Sequence, residues 1–119
     1  MSRFSQPGLD GIPGPTGPAG INASTLMVET EPHTTSYTVT LEDSGKIVAM
    51  NGTTLSLFFP LDSDVNFPIG TMIHAYDLGA ATFTVAGVAG VTVRNAGTVP
   101  QYQMVSVRKR AANMWVMQF

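Results

Sequence analysis

Cysteine is absent from the 119 residues, which excludes a disulfide framework, a zinc–thiolate centre and a thiol nucleophile. Charge is scarce: six Lys and Arg against eight Asp and Glu make up 12% of the chain and leave a net charge of −2. With no basic footprint, neither nucleic acid nor an anionic membrane surface is expected as a partner. No run approaches the roughly 18 apolar residues of a membrane span, and the opening Met1-Ser2-Arg3-Phe4-Ser5-Gln6-Pro7-Gly8 lacks the apolar centre of a secretion signal. The chain is therefore expected to be made in the cytoplasm and to insert in no membrane. Its length leaves room for one small domain and a short appendage, too little for a large catalytic scaffold. Tryptophan occurs once, whereas Thr occurs 14 times, Gly 12 and Ser 8. This mixture favours strands and turns over helices.

The most specific pattern lies in the first twenty residues. Gly8, Gly11, Gly14, Gly17 and Gly20 stand in strict register of three, with Pro13, Pro15 and Pro18 between them. A collagen triple helix needs glycine at every third position because only a hydrogen side chain fits the crowded axis, and proline elsewhere pre-forms the extended backbone. Residues 8–20 are read as a collagen-like stalk; a flexible Gly/Pro linker is the alternative. Four triplets cannot hold three chains together unaided, so the remainder of the chain must supply the trimerisation device. Once three chains are clamped at one end, the short triple helix can zip at high effective concentration. The stalk then spans roughly 40 Å at about 3.1 Å per residue. Residues 1–7 precede it and are read as an anchoring peptide, with Phe4 as the apolar plug and Arg3 as its polar partner; a frayed tip is the alternative.

Residues 21–35 form a polar connector whose one apolar patch, Leu26-Met27-Val28, is either an additional strand or the neck of the trimer. From residue 36 to residue 119, short alternating segments recur between turn residues. Candidate strands are 37–41, 46–50, 54–59, 71–76, 82–86, 91–94, 102–108 and 113–118. Alternation of Thr or Ser with Val, Leu or Phe predicts an all-β head of seven or eight antiparallel strands, a compact sandwich or barrel. Turn chemistry stands at Glu42-Asp43-Ser44-Gly45, Asp62-Ser63-Asp64 and Asn95-Ala96-Gly97, and Asn51-Gly52 gives the clearest hairpin signal. Phe58 beside Phe59, and Met114-Trp115-Val116-Met117 with Phe119, supply more apolar side chains than one sheet face can use. Some of these suit a threefold interface.

Catalytic constellations are weak. His33 and His74 fall in unrelated contexts, and no cofactor or metal is expected. Glu29, Glu31 and His33 alternate and would share a strand face able to meet a cation, though a solvated connector accounts for them. Asp62 and Asp64 alternate in a loop, but a domain this small has little material for the cleft that paired carboxylates need. No enzymatic activity is expected. Asn22-Ala23-Ser24 and Asn51-Gly52-Thr53 fit the glycosylation pattern but read more simply as turns. Arg108-Lys109-Arg110 is the one basic cluster, read as a turn between the last two strands and as a possible contact for phosphate or anionic glycan, which three copies in a trimer would strengthen by avidity.

The part from 36 to 119 resembles a domain that recurs in virion proteins of tailed bacteriophages, in tail fibres and in head fibres or capsid decoration proteins. The likeness lies in Leu41-Glu42-Asp43-Ser44-Gly45-Lys46-Ile47-Val48-Ala49-Met50-Asn51, in Phe67-Pro68-Ile69-Gly70-Thr71, in Val91-Thr92-Val93-Arg94-Asn95-Ala96-Gly97 and in Met114-Trp115-Val116-Met117. The resemblance implies a non-enzymatic homotrimer on the virion exterior, and collagen-like segments are frequent in such fibres. It implies as partners a second and third copy of the chain and a capsid or tail protein that receives the N-terminus. The short rod points to a head fibre or capsid decoration. A tail fibre that adheres to host-surface glycans is the alternative, favoured if Tyr37, Tyr76, Tyr102 or Arg108 is exposed at the distal tip. A collagen-stalked head of the complement or tumour-necrosis-factor type usually needs a longer domain.

Overall fold

Nine strands and one 3-10 turn make up the regular structure of residues 26–119, the residues that the computed structural model describes. The anchoring peptide, the stalk with its five glycines and residues 21–25 lie outside them. In chain order the elements are β1 (Tyr37–Thr38), the 3-10 turn (Leu41–Asp43), β2 (Ile47–Met50), β3 (Leu55–Phe59), β4 (Met72–Asp77) and β5 (Phe83–Gly87). The remaining strands are β6 (Thr92–Arg94), β7 (Thr98–Val99), β8 (Met104–Ala111) and β9 (Met114–Gln118). The expected all-β head is present. Its eight anticipated strands are found within a few residues of their expected limits, and the two-residue β7 is additional.

The expected antiparallel pairing is corrected. The sheets are mixed, ordered β2-β4-β8-β9-β6 and β1-β3-β5-β7. The pairs β2/β4, β1/β3, β3/β5 and β6/β9 are parallel, while β4/β8, β8/β9 and β5/β7 are antiparallel. The reason is topological. From β1 to β8 the chain changes sheet at every step, and as far as β6 a strand two places later returns to its sheet pointing the same way; β7 then runs against β5, and β8 against β6. Only β8 and β9 are consecutive neighbours within one sheet, and only they form a hairpin. Asn51-Gly52 is accordingly a crossing between sheets and not a hairpin turn. The crossing is tight: a Cβ on Gly79 would lie 2.9 Å from both the N and the O of Gly52, so two backbones pass where side chains would collide.

One core fills the space between the sheets. The five-stranded sheet contributes Val48, Met50, Ile73, Val105, Val107 and Trp115, and the four-stranded sheet contributes Leu57, Phe59, Phe83, Val85 and Val99. Period-two alternation turns these inward and their neighbours outward. Trp115 has no exposed surface and packs against Phe59 and Phe67 at centroid distances of 4.7 and 5.2 Å, the second edge-on. Such aromatic pairs add about 0.5–1.5 kcal/mol beyond area burial. Of the apolar surplus in the sequence, Phe59, Trp115 and Met117 are buried, whereas Phe58, Met114 and Val116 are half-buried and Phe119 is exposed.

The two outer faces differ. Thr38, Ser56, Phe58, Thr84, Ala86 and Thr98 form that of the four-stranded sheet. On the five-stranded sheet, Met72, Arg108, Val116 and Arg94 make one cross-strand row, and Tyr76 stands opposite Met104.

The connector is docked rather than free. The amide of Ile47 donates to Val28 O, that of Thr30 to Ile47 O and that of His33 to Ala49 O, each at 2.9 Å, so the chain runs parallel along the free edge of β2. Thr30 Oγ1 also accepts the Ala49 amide at 3.2 Å. Leu26-Met27-Val28 thus leads into an irregular edge segment joined to β2 by two isolated bridges, Glu29 with Ile47 and His33 with Met50, short of a full strand.

Candidate binding surfaces

The registers define two ends of the head. The connector, β2 and β4 run the same way, so Val28, Gly45 and Met72 gather where the chain enters, which we call the neck end. Gly45, at φ 74°, joins this end to β4 by donating its amide to Met72 O at 2.7 Å. Because β8 runs against β4, Met72 faces Arg108 at the neck end, and Tyr76 faces Met104 toward the far end.

At the neck end the basic triplet is resolved residue by residue. It is not a turn: β8 continues through it to Ala111, and Asn113, at φ 52°, makes the hairpin bend. Lys109 therefore points inward and is 2% exposed, so it is no surface contact for a ligand. Its ammonium donates to Asp62 Oδ1 at 2.6 Å and to Phe67 O at 2.7 Å. Asp62 in turn accepts the Asn113 amide at 3.2 Å and donates its own amide to Asn113 Oδ1 at 2.8 Å. This network pins the 61–67 loop onto the β8/β9 hairpin and accounts for Asp62 structurally. A buried ammonium requires such partners, because an isolated one would be heavily penalised.

Arg108 and Arg110 flank Lys109 on the opposite, exposed side. Together with Ile69 and Gly70 they border a shallow depression of about 260 Å³. Arg94 lies in the same cross-strand row as Arg108. Among the described residues the Lys109–Asp62 pair is the one ion pair, so none of these three arginines is neutralised by a carboxylate there.

At the far end, Tyr102 is 64% exposed and adopts φ 65°, a left-handed conformation unusual for a bulky residue. It is held there by its amide, which donates to Asp77 O at 2.7 Å. The Asp77 side chain is buried: Oδ1 accepts the Gly79 amide at 2.8 Å, and Oδ2 has no partner among the described residues. Burial pushes this carboxyl above its ordinary range, and the Gly79 amide opposes the shift. Tyr37 and Tyr76 are half-buried. The Tyr37 hydroxyl donates to Asp43 Oδ2 at 2.7 Å, and burial together with that carboxylate raises the phenol above its ordinary value.

The histidines serve local packing. His33 stacks on Tyr37 at 3.7 Å between ring centroids, and His74 Nδ1 lies 2.8 Å from Ser106 Oγ on the neighbouring strand. Glu29, Glu31 and His33 do not converge, and among the described residues no three His, Asp or Glu side chains gather as a metal site would require. Arg3, Phe4, Gly8, Gly11, Gly14, Gly17, Gly20 and Asn22 lie outside the described residues. Sequence reasoning missed the Asp62–Lys109 partnership across 47 positions and the left-handed backbone of Tyr102, while it did name Tyr102 among the residues whose exposure bears on glycan binding. The period-two continuation from Val105 through Val107 to Lys109 was the available signal for the buried lysine.

Compared with protein families, curated proteins and solved structures, the chain finds no match in any of the three.

Proposed function

We propose that the chain is a non-enzymatic structural protein of a tailed-bacteriophage virion: a homotrimer displayed on the capsid as a short head fibre or decoration. The observation that carries this reading is the strict period-three glycine run at Gly8–Gly20 placed ahead of an all-β head. As a triple helix, such a run works only where three chains meet. In this reading residues 1–7, with Arg3 and Phe4, attach to the particle, the rod sets a spacing of roughly 40 Å, and the head fixes chain register.

The crowding of apolar side chains at the neck end supports a contact there between copies. Leu26, Met27, Val28, Leu41, Ile69 and Met72 are all exposed at that end, against Tyr102, Met104 and Phe119 toward the other. The position of Arg108 weighs against a glycan-binding tip, since it lies near the neck. Tyr102 favours the second reading, a tail fibre that adheres to host-surface glycans, because it offers an exposed aromatic face at the far end. Antibody raised against the head, applied to purified particles, tests both: label over the capsid is the expected result. Label confined to the tail favours the second reading, and particles that carry no label overturn the virion assignment.

A further inference from the structure

We infer that the neck of one copy, Leu26–Glu31, seats on an arginine-rimmed apolar patch of the next copy, formed by Ile69, Met72, Arg108 and Arg110. This rests on the three-chain reading above and names its contact. Both surfaces lie at the same end of the head, and each is unsatisfied in the single chain. The neck exposes Leu26 at 69%, Met27 at 47% and Val28 at 60%, followed by Glu29 and Glu31, the first exposed and the second also exposed on the alternate position. The patch exposes Ile69 at 69% and Met72 at 40% beside Arg108 and Arg110. Apolar side chains therefore meet apolar ones, and two carboxylates meet two guanidinium groups.

Within one chain the neck does not cover the patch: Leu26, Met27, Val28, Ile69 and Met72 all stay exposed. Val28 and Thr30 are held on the edge of β2 by backbone hydrogen bonds to Ile47, whereas Arg108 lies on β8, two strands further into the sheet. At about 4.8 Å between strands, roughly 14 Å separate the neck from that strand. Rotational symmetry supplies the match: in a ring of three every contact is heterologous, so each copy presents its neck to one neighbour and its patch to the other, and the ring closes. The stalk, which ends at Gly20 with five residues between it and Leu26, then meets all three necks at one end, where the triple helix needs them. Exposed ion pairs alone contribute little. Here the charges flank an apolar contact and fix which surfaces meet.

The test uses the full chain. Sedimentation equilibrium gives the assembly constant for the wild type, for Glu29→Lys with Glu31→Lys, for Arg108→Glu with Arg110→Glu, and for the four changes combined. Each reversal is expected to weaken assembly at least about tenfold, and the combined chain to recover to within about threefold of wild type. Reversals that leave assembly unchanged, or a combined chain that does not recover, overturn the interface while the three-chain reading stands. A wild-type chain that sediments as a monomer overturns that reading itself. As a second readout, Met27→Cys with Ile69→Cys introduces the chain's only thiols. Oxidation is expected to give covalent trimers on a non-reducing gel, and a trimeric wild type whose cysteine variant yields no links between copies overturns the proposal.

Discussion

Replacing Asp62 by Ala removes the carboxylate from a lysine that is 2% exposed and leaves its ammonium with the Phe67 carbonyl as sole partner. Breaking a fully buried pair in this way costs about 3–5 kcal/mol. Asp62 is itself 25% exposed, so water can partly reach the vacated position, and about 2–3 kcal/mol is the appropriate scale. At about 4–8 °C per kcal/mol for a domain of this size, the melting temperature should fall by roughly 10–20 °C. Lys109→Met behaves differently. It removes the buried charge along with its partner's task and keeps an unbranched apolar stem in the core, at about 1.5 kcal/mol or less. The double variant should therefore lie near Lys109→Met alone, so the coupling energy should be close to the whole Asp62→Ala loss, about 2–3 kcal/mol. Thermal melts followed by circular dichroism, at one protein concentration because assembly makes the melting temperature concentration-dependent, measure all four chains. An Asp62→Ala chain within about 0.5 kcal/mol of wild type, or strictly additive losses in the double variant, would refute the reasoning.

Three further outcomes are expected. Asp77 has a folded-state carboxyl raised above its unfolded value by burial, so the folded chain holds the proton more tightly and loses stability as pH rises from the unfolded value through the folded one. Asp77→Asn should flatten that slope and be at least as stable as wild type at neutral pH, as denaturant midpoints at pH 4 and pH 7 will show. Gly79→Ala would place a Cβ 2.9 Å from the backbone N and O of Gly52, and the crossing should lose about 2 kcal/mol or more in urea unfolding. Gly14→Ala should break the collagen register locally yet leave the head trimeric; sedimentation showing that the head falls apart as well would reverse the order of dependence between rod and head.

Strand positions were legible because half-buried strands alternate with period two, and Leu55, Leu57 and Phe59 of β3, Ile73 and Ala75 of β4, and Val105 and Val107 of β8 do so cleanly. Partnership was not. Nothing in Ile47–Met50 announces that its neighbour is Met72–Asp77 rather than the next strand along, because that choice follows from the chain's alternation between sheets. Asn51-Gly52 carries the composition of a hairpin turn, yet small residues serve equally where two backbones cross, as Gly52 and Gly79 do. Asn95 and Gly45 do adopt the positive φ that their turn chemistry implied. The basic triplet misled for a related reason. Three adjacent charges suggest solvent, whereas the pleat sends only Arg108 and Arg110 outward and carries Lys109 in, where a loop 47 residues earlier supplies its counter-charge. Thr98–Val99 escaped notice because two residues cannot display a period. The reading of the neck as an edge segment was within reach of Leu26-Met27-Val28, while its pairing with Ile47 was not.

The claim at the centre of this account is that three copies form a stalked head on a virion. Cryo-electron microscopy of the particle that carries the chain measures it most directly. The account expects threefold density of the size of three small β heads, joined to the capsid by a narrow rod of roughly 40 Å. Particles whose surface carries the chain as isolated heads without threefold symmetry, or that do not carry it at all, would contradict it.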